Sequence, residues 1–323
     1  MKNIGFIGCG KIAPFHAEVL IHLGKRIKAV SNRSISERVK EFQLEYNVES
    51  IYTDWKEMIE NEELDAIWLM TSWDSIENIV IELIKYKIPL FVEKPIALSS
   101  EGVNKIIEEK QKYGTKLQIG HNRRFYNFIP KLKSKLKDSD VLRSVQVEIP
   151  ETTKNKDKKN KDFLWVHNSS HVVDLLTYLL GELKVIDICK SKYDDESFNT
   201  FNGLLKTKEE VPVHLISNWN APANFGIKFY TNNKIIELKP IEFYSIYEGF
   251  DIQEPTLETP VRQYNPRLVH KEYCNKSEDE FKPGFLEQAK YFFKEDAEGS
   301  NKFEPTSLEE ALCTSKLIEE ILA

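Results

Sequence analysis

Ile4-Gly5-Phe6-Ile7-Gly8-Cys9-Gly10-Lys11-Ile12-Ala13-Pro14-Phe15-His16-Ala17 decides how the rest of the chain is read. Ile4–Ile7 is a short apolar strand, and the residues from Pro14 open a helix. Gly8, Gly10 and Ala13 form G-x-G-x-x-A between the two, which is the context this motif requires. Gly8 allows a tight turn, Gly10 has no Cβ to keep a pyrophosphate off the backbone, and Ala13 lets the helix lie close to the sheet. The helix N-terminus then offers free N–H groups and a partial positive charge to phosphates. Lys11 and Ile12, inside the loop, are expected to touch the same dinucleotide. The alternative is a tight strand-to-helix turn with no ligand.

Working outward, Arg26–Ser31 reads as a second strand that ends at Asn32-Arg33-Ser34. An acidic residue here would accept the ribose 2′-hydroxyl of NAD. Asn32 carries no charge, while Arg33 and Ser34 can donate to a 2′-phosphate, so the residues point to NADP over NAD. Arg33 could equally stack on adenine or face solvent. Helices are expected over 36–46 and from Thr53, then a buried strand over 64–70 that ends at Thr71. Thr71 either faces the middle of the cofactor or caps the following helix, 76–86. The strand Leu90-Phe91-Val92 stops at Glu93-Lys94-Pro95, where open α/β sheets bind ligands. Lys94 is there either as an ion-pair partner of Glu93 or for chemistry. A helix over 99–113, with a Ser99 or Ser100 cap, leads to the strand 116–120 and to His121-Asn122-Arg123-Arg124. Strands alternating with helices mean a parallel, doubly wound sheet, assigned to residues 1–122.

The chain has 323 residues, long enough for two domains at about 150 residues each. A net charge of −6 and 41% hydrophobic residues describe an ordinary globular protein with no nucleic-acid footprint. No stretch reaches the roughly 20 apolar residues of a membrane helix. The start is too brief and glycine-rich for a signal peptide, and the four scattered cysteines form neither a disulfide framework nor a zinc knuckle, so a reduced, cytoplasmic protein is expected.

Residues 123–323 read as a second, α+β domain. Strands are expected near 143–149, 185–190, 198–206, 211–219, 226–231, 234–238 and 242–247, with a hairpin at Asn232-Asn233. Strands that follow one another without helices make a large, mostly antiparallel sheet. Lys154–Lys161 is a basic loop, either solvated or a clamp on an anionic substrate. A helix from Phe163 to about Leu180 would place His167, His171 and Asp174 on one face. That face could be a histidine bonded to Asp174, a reactive site, or a metal site that lacks a third strong ligand; no metal is expected. Asp251–Asp279, with several prolines, reads as irregular, and helices over 284–297 and 307–322 close the chain.

With GCGKIA at 8–13, VEKP at 92–95, IGHNRRFYNFIPKLK at 119–133 and HVVDLLTYLLGE at 171–182, the chain resembles the Gfo/Idh/MocA family of NAD(P)-dependent oxidoreductases. The resemblance implies a Rossmann domain followed by an open, mostly antiparallel sheet through which such proteins form dimers or tetramers. It implies a cis bond between Lys94 and Pro95, with Lys94 reaching both substrate and nicotinamide, and His171 as the base. His167 stands where the family carries aspartate, which puts the proton chemistry in question; a neutral imidazole could act as a relay. The expected reaction is hydride transfer to or from a secondary alcohol of a sugar or sugar derivative. Lys94, Arg123, His167 and His171 are the expected substrate contacts, and Asn122 and Glu93 join the cofactor contacts. Arg123 and Arg124 would suit an anionic substrate such as a nucleotide-sugar, or are surface residues. A non-catalytic NAD(P)-binding regulator, favoured by His167, and an imine or enone reductase needing only the acid Lys94 are the competing readings.

Overall fold

The computed structural model describes residues 1–138, 142–152, 165–192, 198–274, 281–294 and 302–323. The Lys154–Lys161 loop and the expected helix start at Phe163 lie outside the described residues. The chain divides into two compact units. The first combines Met1–Tyr126 with Val166–Asp174 and Ser277–Glu319; the second combines Asn127–Trp165, Leu175–Lys276 and Glu320–Ala323.

The first unit holds a six-stranded parallel sheet. Its strands are β1 (Asn3–Ile7), β2 (Arg26–Ser31), β3 (Ser50–Tyr52), β4 (Ala66–Leu69), β5 (Leu90–Val92) and β6 (Leu117–Ile119), in the order β3-β2-β1-β4-β5-β6. The order reverses between β1 and β4, which creates the crevice where such sheets bind ligands. Helices α1 (Ala13–His22), α2 (Glu37–Glu45), α3 (Trp55–Asn61), α4 (Trp73–Leu83) and α5 (Ser100–Tyr113) make the crossovers. Side chains alternate along each strand, and both faces are dry. Phe6, Val30, Trp68 and Phe91 pack with Ala17 and Leu20 on one face. Ile7, Ala29, Leu69 and Val92 pack with Val80 and Val103 on the other. Local chemistry sets the helix ends. Asp54 accepts from Lys56 N at 2.9 Å to start α3, Ser99 accepts from Gly102 N at 3.1 Å to start α5, and left-handed Gly114 stops α5.

The second unit holds an eight-stranded sheet among the described residues, in the order β14-β13-β12-β11-β7-β10-β9-β8. The strands are β7 (Ser144–Glu148), β8 (Leu183–Lys192), β9 (Phe198–Thr207), β10 (Pro212–Asn218), β11 (Gly226–Tyr230), β12 (Lys234–Leu238), β13 (Phe243–Gln253) and β14 (Gln263–Tyr273). Every neighbouring pair is antiparallel except β10 with β7. The β11–β12 hairpin turns at Asn232-Asn233, closed by Thr231 N donating to Lys234 O at 3.0 Å. The stretch read as irregular differs: it contains the end of β13 and all of β14. Pro266 is tolerated because β14 is the edge strand, and it sits opposite Phe250 where the ladder is already offset. Helices α6 (Ile129–Asp138), α7 (Ser170–Leu180), α8 (Phe285–Phe293) and α9 (Leu308–Leu322) complete the described structure.

Candidate active site

The dinucleotide loop follows β1 directly. Gly8 has φ +95°, its N–H donates to Ser31 O at 2.8 Å, and a Cβ there would lie 2.5 Å from Met70 O. A Cβ on Gly10, by contrast, would meet nothing within 4 Å. Gly8 is therefore a packing requirement, while Gly10 leaves open space at the start of α1. Asn32 ties the loop to the end of β2: its Oδ1 accepts from Cys9 N at 3.3 Å and its Nδ2 donates to Ser34 O at 2.8 Å.

A cleft of about 310 Å³ lies over this loop. Gly8, Gly10, Asn32, Arg33 and Thr71 line it, together with Arg38 and Trp55, which the sequence reading did not nominate. Lys11, Ile12 and Ser34 are not part of this lining. Thr71 Oγ1 is buried and has no hydrogen-bond partner among the described residues. The residue preceding α4 is Ser72, so the helix-capping position is not Thr71's. Arg33 reaches across to Ser72 Oγ at 3.4 Å and Asp74 Oδ1 at 3.5 Å, which ties the end of β2 to the start of α4. An open glycine cradle, a helix N-terminus and an orphan hydroxyl suit a dinucleotide.

Beyond β5 the chain turns sharply through a cis Lys94–Pro95 bond. Glu93 does not pair with the Lys94 ammonium. Its Oε1 lies 2.8 Å from His16 Nε2 and its Oε2 accepts from Lys94 N at 3.2 Å. Burial pushes the Glu93 carboxyl up, but His16 and Lys94 outweigh it and hold the group below the usual carboxylate range. His16 packs against the rings of Phe91 and Phe285, at 5.0 and 4.6 Å. The Lys94 ammonium instead donates to the His167 carbonyl at 2.6 Å.

Trp165–Ser169 is a single π-helical turn, and α7 begins only at Ser170. The wider turn removes the shared α-helical face expected for His167, His171 and Asp174. His167 meets Lys94 through its backbone carbonyl, and although the residue keeps contact with solvent, its ring has a pKa depressed to about 4, first by partial removal from water and then by the Lys94 charge. His171 is held well below the ordinary imidazole range by burial first, then by Lys94 and Arg123. Asp174 is not the partner of His171. It receives Arg124 in a two-pronged pair, Nε to Oδ2 and Nη2 to Oδ1, both at 2.8 Å. Arg124 is fully buried and its Nη1 also reaches Glu310 at 2.9 Å, so it is a structural cation and not a surface or substrate residue. Asn122 directs its amide to Pro283 O at 2.8 Å. Arg123 is half-buried near His171.

The sequence reading missed two members of this cluster. His16 lies one helical turn past Ala13, and its partner is 77 positions away. His121 adjoins the Asn122-Arg123 pair, and its ring meets that of His171 edge-on at 5.7 Å. Among the described residues no group of three metal-binding side chains forms.

Residues 2–121 match the GFO_IDH_MocA profile, described as an oxidoreductase family with an NAD-binding Rossmann fold. A myo-inositol 2-dehydrogenase of Thermotoga maritima is 30% identical over 186 residues, covering 56% of this chain and 55% of that protein. The match thus spans about half the length of the curated relatives. A probable dehydrogenase from Thermotoga maritima has the same fold, with TM-score 0.72 and 22% identity over 98% of this chain and 94% of its own. So does a UDP-N-acetylglucosamine 3-dehydrogenase from Acidithiobacillus ferrooxidans, with TM-score 0.73 and 15% identity over 99% of this chain and 96% of its own.

Proposed function

We propose that this chain is a member of the Gfo/Idh/MocA oxidoreductase family, whose model its residues 2–121 match, and an NAD(P)-dependent dehydrogenase or reductase acting on a secondary alcohol or ketone of a sugar or sugar derivative. The observation that carries the proposal is Lys94, held at the carboxyl end of β5 by the His167 carbonyl at 2.6 Å and electrostatically close to His171. NAD(P) bound in the cleft supplies the hydride acceptor or donor at its nicotinamide. Gly10 and the start of α1 take the pyrophosphate, and Thr71 Oγ1 has an unmet hydrogen-bonding capacity to offer. Asn32 in place of an acid, with Arg33 and Arg38 lining the cleft, supports NADP as the preferred cofactor.

In the oxidative direction His171, neutral at physiological pH, accepts the hydroxyl proton. In the reductive direction Lys94 donates a hydrogen bond to the carbonyl oxygen and stabilises the charge that develops there. Glu93, engaged with His16, does not compete with that oxygen for the ammonium. Substrate candidates follow from the relatives: one is named for myo-inositol and another for a UDP-sugar. Incubation with NADP⁺ or NAD⁺ and a panel containing myo-inositol and UDP-N-acetylglucosamine, read at 340 nm, tests the proposal. Cofactor binding without turnover across a broad panel would instead favour a regulator, in line with His167 at the family's aspartate position.

We further infer a homo-oligomer formed through the eight-stranded sheet. Phe250, Ile252, Tyr264 and Leu268 on β13 and β14 are all about half exposed or more. No helix of the described residues is long and apolar enough to cross a membrane, and none of the four cysteines is joined in a disulfide. Light scattering after gel filtration tests the assembly: a monomer at micromolar concentration sinks it.

A further inference from the structure

His121 follows β6 and is 5% exposed. Its Nδ1 lies 3.0 Å from Thr306 Oγ1 and 3.3 Å from Asp174 Oδ1. Thr306 has one hydroxyl hydrogen and gives it to Asp174 Oδ1 at 3.0 Å, so toward His121 it can only accept. Asp174 is an ionised carboxylate, also an acceptor only: burial raises its pKa, but His121, Arg124 and Thr306 together bring it below the usual range. Nδ1 of His121 must therefore carry the hydrogen, and Nε2 must carry the lone pair. That lone pair is buried and meets no hydrogen-bond partner among the described residues.

The complementary need stands on the neighbouring ring. His171 lies edge-on to His121, with centroids 5.7 Å apart and an interplanar angle of 72°. Its Nδ1 is likewise buried without a partner among the described residues, although the residue as a whole is half-exposed. Buried polar atoms are rarely left unmatched; here the two rings that carry the unmatched nitrogens adjoin without a hydrogen bond between those nitrogens, and a turn of either ring would bring them together.

We propose that His121 is a positioning residue and the second proton acceptor of the site, taking a proton from His171 and held in the receptive tautomer by Asp174 and Thr306. This rests on the reading of His171 as the group that meets the substrate hydroxyl. The substrate O–H breaks and its proton goes to His171 Nε2, the O–H electron pair staying on oxygen as the new carbonyl forms. The adjacent C–H leaves with its electron pair to the bound nicotinamide. The Nδ1–H of His171 then breaks, its proton moves to His121 Nε2, and the electron pair remains on His171, which is neutral again. The positive charge ends on His121 beside the carboxylate of Asp174. Burial is the largest influence on His121 and opposes that charge; of the groups facing the ring, Asp174 and Glu93 favour it and Arg124 and Lys94 oppose it. Burial likewise opposes a charge on His171, and Lys94, Arg123, His121 and His167 add to it, whereas His121 has the Asp174 carboxylate at 3.3 Å to receive the proton's charge. A carboxylate–imidazole pair is thus present although position 167 lacks one.

Two measurements on the full-length protein with NADP⁺ bound test this. Long-range ¹H–¹⁵N spectra of the histidine rings, assigned with His121→Phe and His171→Gln, are expected to show His121 as the Nδ1–H tautomer and to show the His171 signals changed by His121→Phe. An Nε2–H tautomer at His121, or unchanged His171 signals, overturns the proposal. With the alcohol of the panel above that the wild type oxidises, His121→Phe is expected to lower kcat about 100-fold with KM and melting temperature unchanged. A kcat within about twofold of wild type, or a loss that follows a fall in melting temperature or a rise in KM alone, overturns it. If no alcohol turns over with the wild type, the functional reading fails while the ring spectra still decide the tautomer and the His121–His171 coupling.

Discussion

Glu93 and Lys94 are neighbours in sequence, yet the Glu93 carboxylate binds His16 Nε2 at 2.8 Å and the Lys94 ammonium binds the His167 carbonyl at 2.6 Å. Adjacent opposite charges have been given separate partners. A carboxylate in direct contact would stabilise the ammonium and compete with a substrate oxygen for it. His16 removes that competitor.

Lys94→Met keeps the length of the side chain and removes the charge. Turnover is expected to fall by about 10³-fold or more while NADPH binding changes little. Steady-state kinetics with fluorescence titration of the cofactor checks both; turnover retained within tenfold would remove Lys94 from the chemistry. His16→Phe, which frees Glu93, should lower kcat without removing it.

The two loop glycines should fail differently. Gly8→Ala puts a Cβ 2.5 Å from Met70 O at φ +95°, so folding stability is expected to drop by about 1–3 kcal/mol or more. Gly10→Ala meets nothing within 4 Å, so it should fold normally and lose cofactor affinity alone. Melting curves with and without NADPH separate the two outcomes.

Cofactor choice rests on the end of β2. Arg33→Ala should weaken NADPH binding about tenfold and NADH binding much less. Asn32→Asp keeps the acceptor for Cys9 N, loses the donor to Ser34 O, and should shift preference toward NADH. Tighter NADH than NADPH binding by the wild type would reject the NADP assignment.

Arg124→Met should be among the most damaging single changes. It leaves Asp174 ionised and buried without its guanidinium, for an expected loss of about 3–5 kcal/mol. Urea unfolding is the test, and a loss under about 1 kcal/mol would contradict the buried pair.

Acid should destabilise the fold in two stages. His121, His167 and His171 have depressed folded-state values, about 4 for His167, against about 6.5 when unfolded. The unfolded chain binds more protons in that window, so stability is full above about pH 6.5 and falls as pH drops toward 4. Glu93 and Asp174 are also depressed, so their contributions are present above their unfolded values near 4 and are lost below. Urea midpoints at about pH 7, 5.5 and 4 should decrease in that order.

What could be read from the sequence was what local periodicity and turn chemistry control. Gly8, Gly10 and Ala13 sit within one turn of chain, β1–β6 alternate with helices, and Asn232-Asn233 closes a hairpin as its residue types require. The contents of the site were less legible because its partners are distant in sequence. A bond from Asp174 to His171, three residues away, was one of three readings left open, whereas its guanidinium comes from Arg124, fifty positions upstream. The π turn at Trp165–Ser169 leaves no mark in the hydrophobic pattern that separates it from an α-helix, so the direction of His167 could not be read. The edge strand β14 was hidden by Pro266, since proline argues against a strand until the strand is known to be an edge.

The parallel sheet borrows part of its cover from the far end of the chain. Phe292 and Phe293 close on Trp68 at 4.8 and 5.5 Å, and Leu308 and Ala311 join the opposite face. During synthesis, therefore, β1 to β6 emerge from the ribosome long before the residues that seal them, and Trp68 and Phe91 stay incompletely shielded until Phe292 and Phe293 have been made. The parallel sheet cannot complete its core ahead of the rest: a nascent chain halted before Phe292 lacks the rings that cover Trp68.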